Sequence, residues 1–293
     1  MKLTSKIHYY IVLHITIILW GFTSILGKLL SMTSTAIVID RMVIAYLALA
    51  SMLFFRKKEL VKREYLWQMY AVGVITAAHW ATFFEALKVS NISVTLCCLA
   101  SCSFFVSLIQ PFFLKTKLKF YEVVLGLLVI LGIYIIFTFE SDYSLGIILS
   151  LISSFLAAIF SVWNAKFIKH NSAFSITINE MLAGSVAMIL YYILTGDFSL
   201  QEIIPVGIDW FYIMILGIFC TAIAFLLGTE VLKKLSPFTV SISINLEPVY
   251  AILLALYIFG ESEVMSLEFY IGASIILATI VANAFLKSKE SSV

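Results

Sequence analysis

The sequence predicts an all-α integral membrane protein, and three observations carry that prediction. The 293 residues are 62% hydrophobic and only 12% charged, with a mean hydropathy of +1.07. That balance lies far outside the range of soluble domains. Apolar runs repeatedly reach the roughly 20 residues that cross a bilayer as a helix. The alternating segments of about ten residues that mark a membrane β-barrel are absent.

Ten runs follow one another, at about 8–30, 36–55, 66–87, 92–114, 121–139, 145–167, 173–195, 209–232, 237–259 and 268–287. The first follows a short basic segment but is too long for a signal-peptide core and has no A-x-A site, so it is read as a retained span. The connections are short and leave no room for a soluble domain. The longest on its side runs from Gly196 to Ile208 and contains Pro205.

Charge sets the expected orientation. Of 19 basic residues, all but Lys28, Arg41 and Lys88 fall on one side: Lys2 and Lys6, Arg56 to Arg63, Lys115 to Lys119, Lys166 and Lys169, Lys233 and Lys234, Lys287 and Lys289. The other side holds Glu140, Asp142, Asp197, Glu202, Asp209, Glu261 and Glu263. Basic loops stay in the cytoplasm, so both ends of the chain are expected there.

The chain also repeats itself. Glu85-Ala86-Leu87-Lys88 lies over Glu230-Val231-Leu232-Lys233 at a shift of 145, and Gly126 meets Gly272 after one inserted residue. More weakly, Ile39-Asp40-Arg41-Met42 lies over Ile178-Asn179-Glu180-Met181 at a shift of 139. The expected halves are 1–140 and 141–293. Five spans each is an odd number, so the second half enters from the opposite face. Such inverted repeats are found in carriers whose sites sit near the midplane.

Taken in order, Trp20-Gly21, Arg41, Glu85-Ala86-Leu87-Lys88, Asn245-Leu246-Glu247-Pro248-Val249 and Phe259-Gly260-Glu261 resemble the EamA-type family of the drug/metabolite transporter superfamily. The resemblance covers nearly all of the chain. It implies an inner (plasma) membrane carrier, often an exporter of amino acids or other small metabolites, and fixes no single substrate. In the first half Ser101-Cys102-Ser103-Phe104 stands where the family often has Ser-Pro. Span four is therefore expected to lack the break that Pro248 gives span nine.

Glu247 is the sharpest candidate, since an intramembrane carboxylate is costly and by default faces the bundle interior. Pro248 has no N–H, so the carbonyl of Ile244 loses its helical partner and is free to face a cavity. Two readings stand: Glu247 binds a substrate amine or takes a proton, or Asn245 and Glu247 join neighbouring helices as polar glue. His79 in mid-span three is either a cavity residue or a satisfied interior hydrogen-bonder, with Trp80 and Phe83 beside it as stacking surfaces. Trp20 and Tyr250 complete the substrate-binding candidates. Glu247, Pro248, Glu180 and Arg41 are the gating or proton-coupling candidates.

Plainer readings cover the rest. Trp163 fits an interfacial aromatic belt. Arg41 and Lys28, placed at the outer ends of their spans, either attract an anionic group or snorkel. Glu85 with Lys88, and Glu230 with Lys233, are read as i,i+3 pairs. Cys97, Cys98, Cys102 and Cys220 sit within apolar runs as small buried residues, not as disulfides or metal ligands.

The function expected is outward transport of small metabolites, amino acids or related amphiphiles, by alternating access. Its rivals are a proton-coupled importer and, at greater distance, a membrane-embedded enzyme. A large phosphorylated cargo would want several cations in the cavity, and mid-span cations are not expected. There is no P-loop, H-E-x-x-H or nucleophile-and-base spacing, so no catalysis, cofactor or metal is expected. The basic residues make no nucleic-acid footprint. The partners expected are a small molecule and the bilayer, with monomer and homodimer both open.

Overall fold

Thr33, Asn91, Ser172 and Ser236 mark where four helices begin. Each side chain accepts from a backbone N–H three residues on, respectively Ala36, Val94, Ser175 and Thr239. This is the N-cap preference of Ser, Thr and Asn. The computed structural model describes residues 3–53, 63–115, 117, 119–195 and 199–290. Lys2, Arg56, Lys57, Lys58, Lys62 and Asp197, with the side chains of Lys6, Arg63, Lys287 and Lys289, lie outside the described residues.

The helices are α1 (Leu3–Leu29), α2 (Ser34–Met52), α3 (Leu66–Val89), α4 (Ile92–Leu99), α5 (Cys102–Leu114), α6 (Phe120–Phe139), α7 (Ser144–Phe167) and α8 (Ala173–Leu194). Next come α9 (Leu200–Ile203), α10 (Asp209–Gly217), a π-helical turn (Ile218–Ile223), α11 (Ala224–Val231), α12 (Pro237–Ile244), α13 (Glu247–Phe259) and α14 (Leu267–Glu290). Among the described residues, eight stretches are long and apolar enough to cross a membrane, and Leu267–Thr279 is a shorter apolar helix. α3 has the length, at 24 residues, but carries Gln68, His79, Glu85 and Lys88. It packs against α7, α8 and α2; of these polar groups His79 is buried, Glu85 half-buried, and Gln68 and Lys88, near its two ends, are exposed.

Span four corrects an expectation. It is broken, although no proline stands at the break. Between α4 and α5, Ala100 and Ser101 leave the α pattern, and Ser101, Ser103 and Phe104 donate to carbonyls three residues back. Ser101 and Ser154 hydroxyls bond at 2.6 Å and fix the bend to α7. A polar side chain from a neighbour substitutes for the missing ring, a known route to a kink. Between α12 and α13, Asn245 and Leu246 break the other span, and Pro248 falls in the first turn of α13. There its missing N–H costs nothing.

Two ends can be named by their loops. At the acidic end Glu263, wholly buried, accepts from the backbone N–H of Ile92 (3.2 Å) and Ser93 (3.0 Å), from the Ser93 hydroxyl (2.9 Å) and from Lys28 Nζ (2.6 Å). Gly260, at φ +61°, makes the turn that brings it there; positive φ comes free only to glycine. Asp209 accepts from the Ser31 hydroxyl. The expected Glu85–Lys88 pair is not formed: Glu85 accepts from Ser34, and Lys88 reaches the carbonyl of Leu30. Glu230 and Lys233 do pair, at 2.6 Å.

Lipid supplies no hydrophobic force between helices, so close approach must come from small residues. α6 and α14 cross at Gly132 and Gly272: a Cβ on either would lie 2.7 or 2.6 Å from the other's carbonyl oxygen. The outward surface is apolar, with Trp67, Phe112, Phe120 and Tyr257 exposed. The four cysteines are free thiols.

Candidate functional site

One cavity in the bundle has about 1020 Å³ of empty space, its mouth included. α1, α2, α3, α4, α7, α11, α12 and α13 all contribute to its wall, as do the two breaks at Ala100 and Asn245. Of the candidates, Trp20, Arg41, His79, Trp80, Phe83, Asn245, Glu247 and Pro248 line it. Tyr250 does not. The buried stripe of α13 runs through Glu247, Ala251 and Ala255, while Tyr250 lies beside that stripe and is 38% exposed on the outer surface.

Arg41 is the main correction. It is no outer-end residue: it stands seven positions after Ser34, about 10 Å along α2 at 1.5 Å per residue, and is 0% exposed. The cavity therefore does hold a mid-span cation. Its guanidinium carbon lies 3.9 Å from the Trp80 ring centroid and 5.2 Å from that of Phe84, within cation–π range. Nε donates to Thr221 Oγ1 at 2.9 Å. Thr221 belongs to the π turn, and its hydroxyl donates in turn to the carbonyl of Leu216, five residues back. The bulge thus builds the acceptor that holds Arg41. Nη1 and Nη2 are buried without a hydrogen-bond partner.

His79 fits both of its readings. Its Nδ1 lies 2.9 Å from the carbonyl of Ser153 and 2.8 Å from that residue's hydroxyl, which donates to the carbonyl of His79 at 3.0 Å. With the hydroxyl proton so used, Nδ1 carries the ring hydrogen and donates to the carbonyl, a tautomer assigned from the network. Nε2 is then left as an acceptor in the cavity wall. The ring stacks on Phe83 and meets Phe160 edge-on at 5.3 Å.

Glu247 opens α13, where a carboxyl favours the positive end of the helix. Among the described residues it joins no ion pair. Asn245 leaves its amide nitrogen without a partner. Trp20 lies against α11, where Gly228 leaves it room. Glu180 is outside the lining and wholly buried; Asn164, which does line the cavity, donates to its Oε2 at 3.2 Å. Trp163 packs edge-on against Phe113 instead.

The sequence pattern of the EamA-like transporter family matches residues 8–138 and again residues 144–285. The chain belongs to the EamA-like transporter family. Two proteins of Archaeoglobus fulgidus, each named an uncharacterized transporter, are similar to this EamA-like chain. One is 28% identical over 152 residues, about half the length of either chain at 52%. The other is 25% identical over 283 residues, covering 92% of this chain and 96% of the relative. A solved structure described as "Crystal structure of protein" superposes with a TM-score of 0.73 at 17% identity, over 96% of this chain and 98% of that one. At that identity the likeness shows the fold alone.

Asn164, Phe160 and Phe225 were not singled out as cavity residues by sequence, nor was Thr221 as the residue that holds Arg41. Asn164, an amide within an apolar span, carried a signal. The π turn carried none.

Proposed function

We propose that this EamA-like protein exports small metabolites, amino acids or related amphiphilic compounds, across the inner membrane by alternating access. The observation that carries this reading is the chemistry of the cavity. Aromatic walls from Trp20, Trp80, Phe83, Phe160 and Phe225 enclose one buried guanidinium and one carboxyl. Such a site suits a small molecule with an apolar body and charged groups.

Ten spans in two inverted repeats, 1–140 and 141–293, are part of the proposal. Its support is that the breaks at 100–101 and 245–246 stand 145 residues apart. Contacts match likewise: α3 with α7 answers α11 with α1, and α5 with α7 answers α13 with α1. With both termini in the cytoplasm, the acidic end is external. Its polar ties close that side, while Asn164, Leu232 and Val240 carry the lining toward the basic end. We read this arrangement as the inward-open form.

Proton coupling, in either direction of transport, is favoured by Glu180, a buried carboxyl joined to the cavity by one amide.

The test is an untargeted comparison of metabolites in the medium of cells making the wild type or Glu247→Gln. A compound accumulating outside only with the wild type supports export and the site. Equal media count against export, and labelled uptake then tests the importer.

A further inference from the structure

We propose that the Nη1–Nη2 edge of Arg41 is the seat of a cargo carboxylate, and that the cargo is a zwitterion whose ammonium group turns to Glu247. This rests on reading the cavity as the cargo site.

The argument starts from cost. An ionised side chain buried in a membrane protein is expensive and is found paired. Arg41 is 0% exposed, yet it forms no ion pair among the described residues. Neither Asp40 nor Glu180, the acids of the two aligned segments, pairs with it: Glu180 is bonded to Asn164, and Asp40 has a buried oxygen without a partner.

The geometry then says where the partner goes. Trp80 covers one face of the guanidinium, and Thr221 holds Nε. The two Nη groups remain free, buried, on a residue that lines the cavity. Two parallel N–H donors match two carboxylate oxygens. Because the plane is already fixed, little rotamer freedom is lost when the ligand arrives.

The charge balance narrows the class. Among the lining residues Arg41 is the one Lys or Arg, and Glu247 is the one acid. His79 presents an acceptor nitrogen. A phosphate dianion would meet one cation and one carboxyl. An α-amino acid meets one partner for each of its charges, with aromatic walls for its side chain.

The experiment uses the purified full chain in detergent. Equilibrium binding and thermal shift are measured for L-phenylalanine, L-leucine and L-tryptophan, and for the amines lacking only the carboxylate: phenethylamine, 3-methylbutylamine and tryptamine. The expected result is that at least one amino acid binds, and that its amine binds about tenfold or more weakly. Arg41→Lys, which keeps the charge but not the fork, loses a similar factor for the acid and none for the amine. An amine binding as tightly as its acid, or Arg41→Lys binding as tightly as wild type, overturns the carboxylate seat and leaves the transport reading standing. Binding of neither set overturns the seat and the amino-acid class together, while metabolite release still tests transport. Should Arg41→Lys not fold, the acid–amine comparison on the wild type decides alone.

Discussion

Asn164 Nδ2 donates to Glu180 Oε2 across 3.2 Å, and through this one bond the wall of the cavity touches a carboxyl wholly buried behind it. Glu180 Oε1 and Asn164 Oδ1 have no hydrogen-bond partner, so each residue leans on the other.

Asn164→Leu is therefore expected to destabilise the protein by about 1–3 kcal/mol, since a buried polar group left alone costs its desolvation. Glu180→Leu added to it should restore part of the loss, because both polar partners are then gone. Thermal unfolding in detergent measures this; simple additivity of the two changes would refute the coupling.

Glu263 predicts a graded series at the acidic end. Glu263→Ala strands Lys28 and the backbone N–H groups of Ile92 and Ser93, and should cost about 3 kcal/mol or more. Glu263→Gln keeps one acceptor and should cost less. Lys28→Ala should cost least, because Lys28 is 24% exposed and solvent screens its share. Unfolding midpoints in any other order would count against Glu263 as the main tie at this end.

Gly132→Ala should lower stability by about 1–3 kcal/mol. Its Cβ would stand 2.7 Å from the carbonyl oxygen of Gly272, backbone that cannot swing aside. An unchanged midpoint would mean that the crossing of α6 and α14 is looser than it stands here.

Within the transport reading, Glu247→Gln should slow transport about tenfold or more, by loss of a charge-assisted contact, and His79→Ala should slow it too. Tyr250→Ala should leave it unchanged, because that ring stands outside the cavity. Transport at wild-type rate by both Glu247→Gln and His79→Ala would sink the assignment.

Much of the fold was legible because lipid demands long, uniformly apolar helices, and that demand is written residue by residue. Glu247, Asn245 and His79 were legible for the converse reason: each interrupts hydrocarbon at a cost. Depth was harder. Arg41 read as an outer-end residue because a cap such as Thr33 marks where α2 begins but not how deep in the bundle a residue two turns later is buried. Tyr250 failed on rotation about α13, since an unbroken apolar run has no face to read. The bend at Ser101 depends on Ser154, 53 residues away, and local sequence holds no trace of such a partner.

The two broken spans do not bend by the same means. Pro248 has no N–H, so residues 244 and 248 can never exchange a helical hydrogen bond. Its counterpart at the shift of 145 is Ser103, and there every backbone donor is intact. The bend at Ala100–Ser101 is held by the Ser101–Ser154 hydroxyl pair and by the Ser103 hydroxyl on the carbonyl of Ala100. One elbow of the molecule lacks a helical hydrogen bond by its covalent structure, whereas the other has every donor that a continuous ladder from α4 into α5 would use.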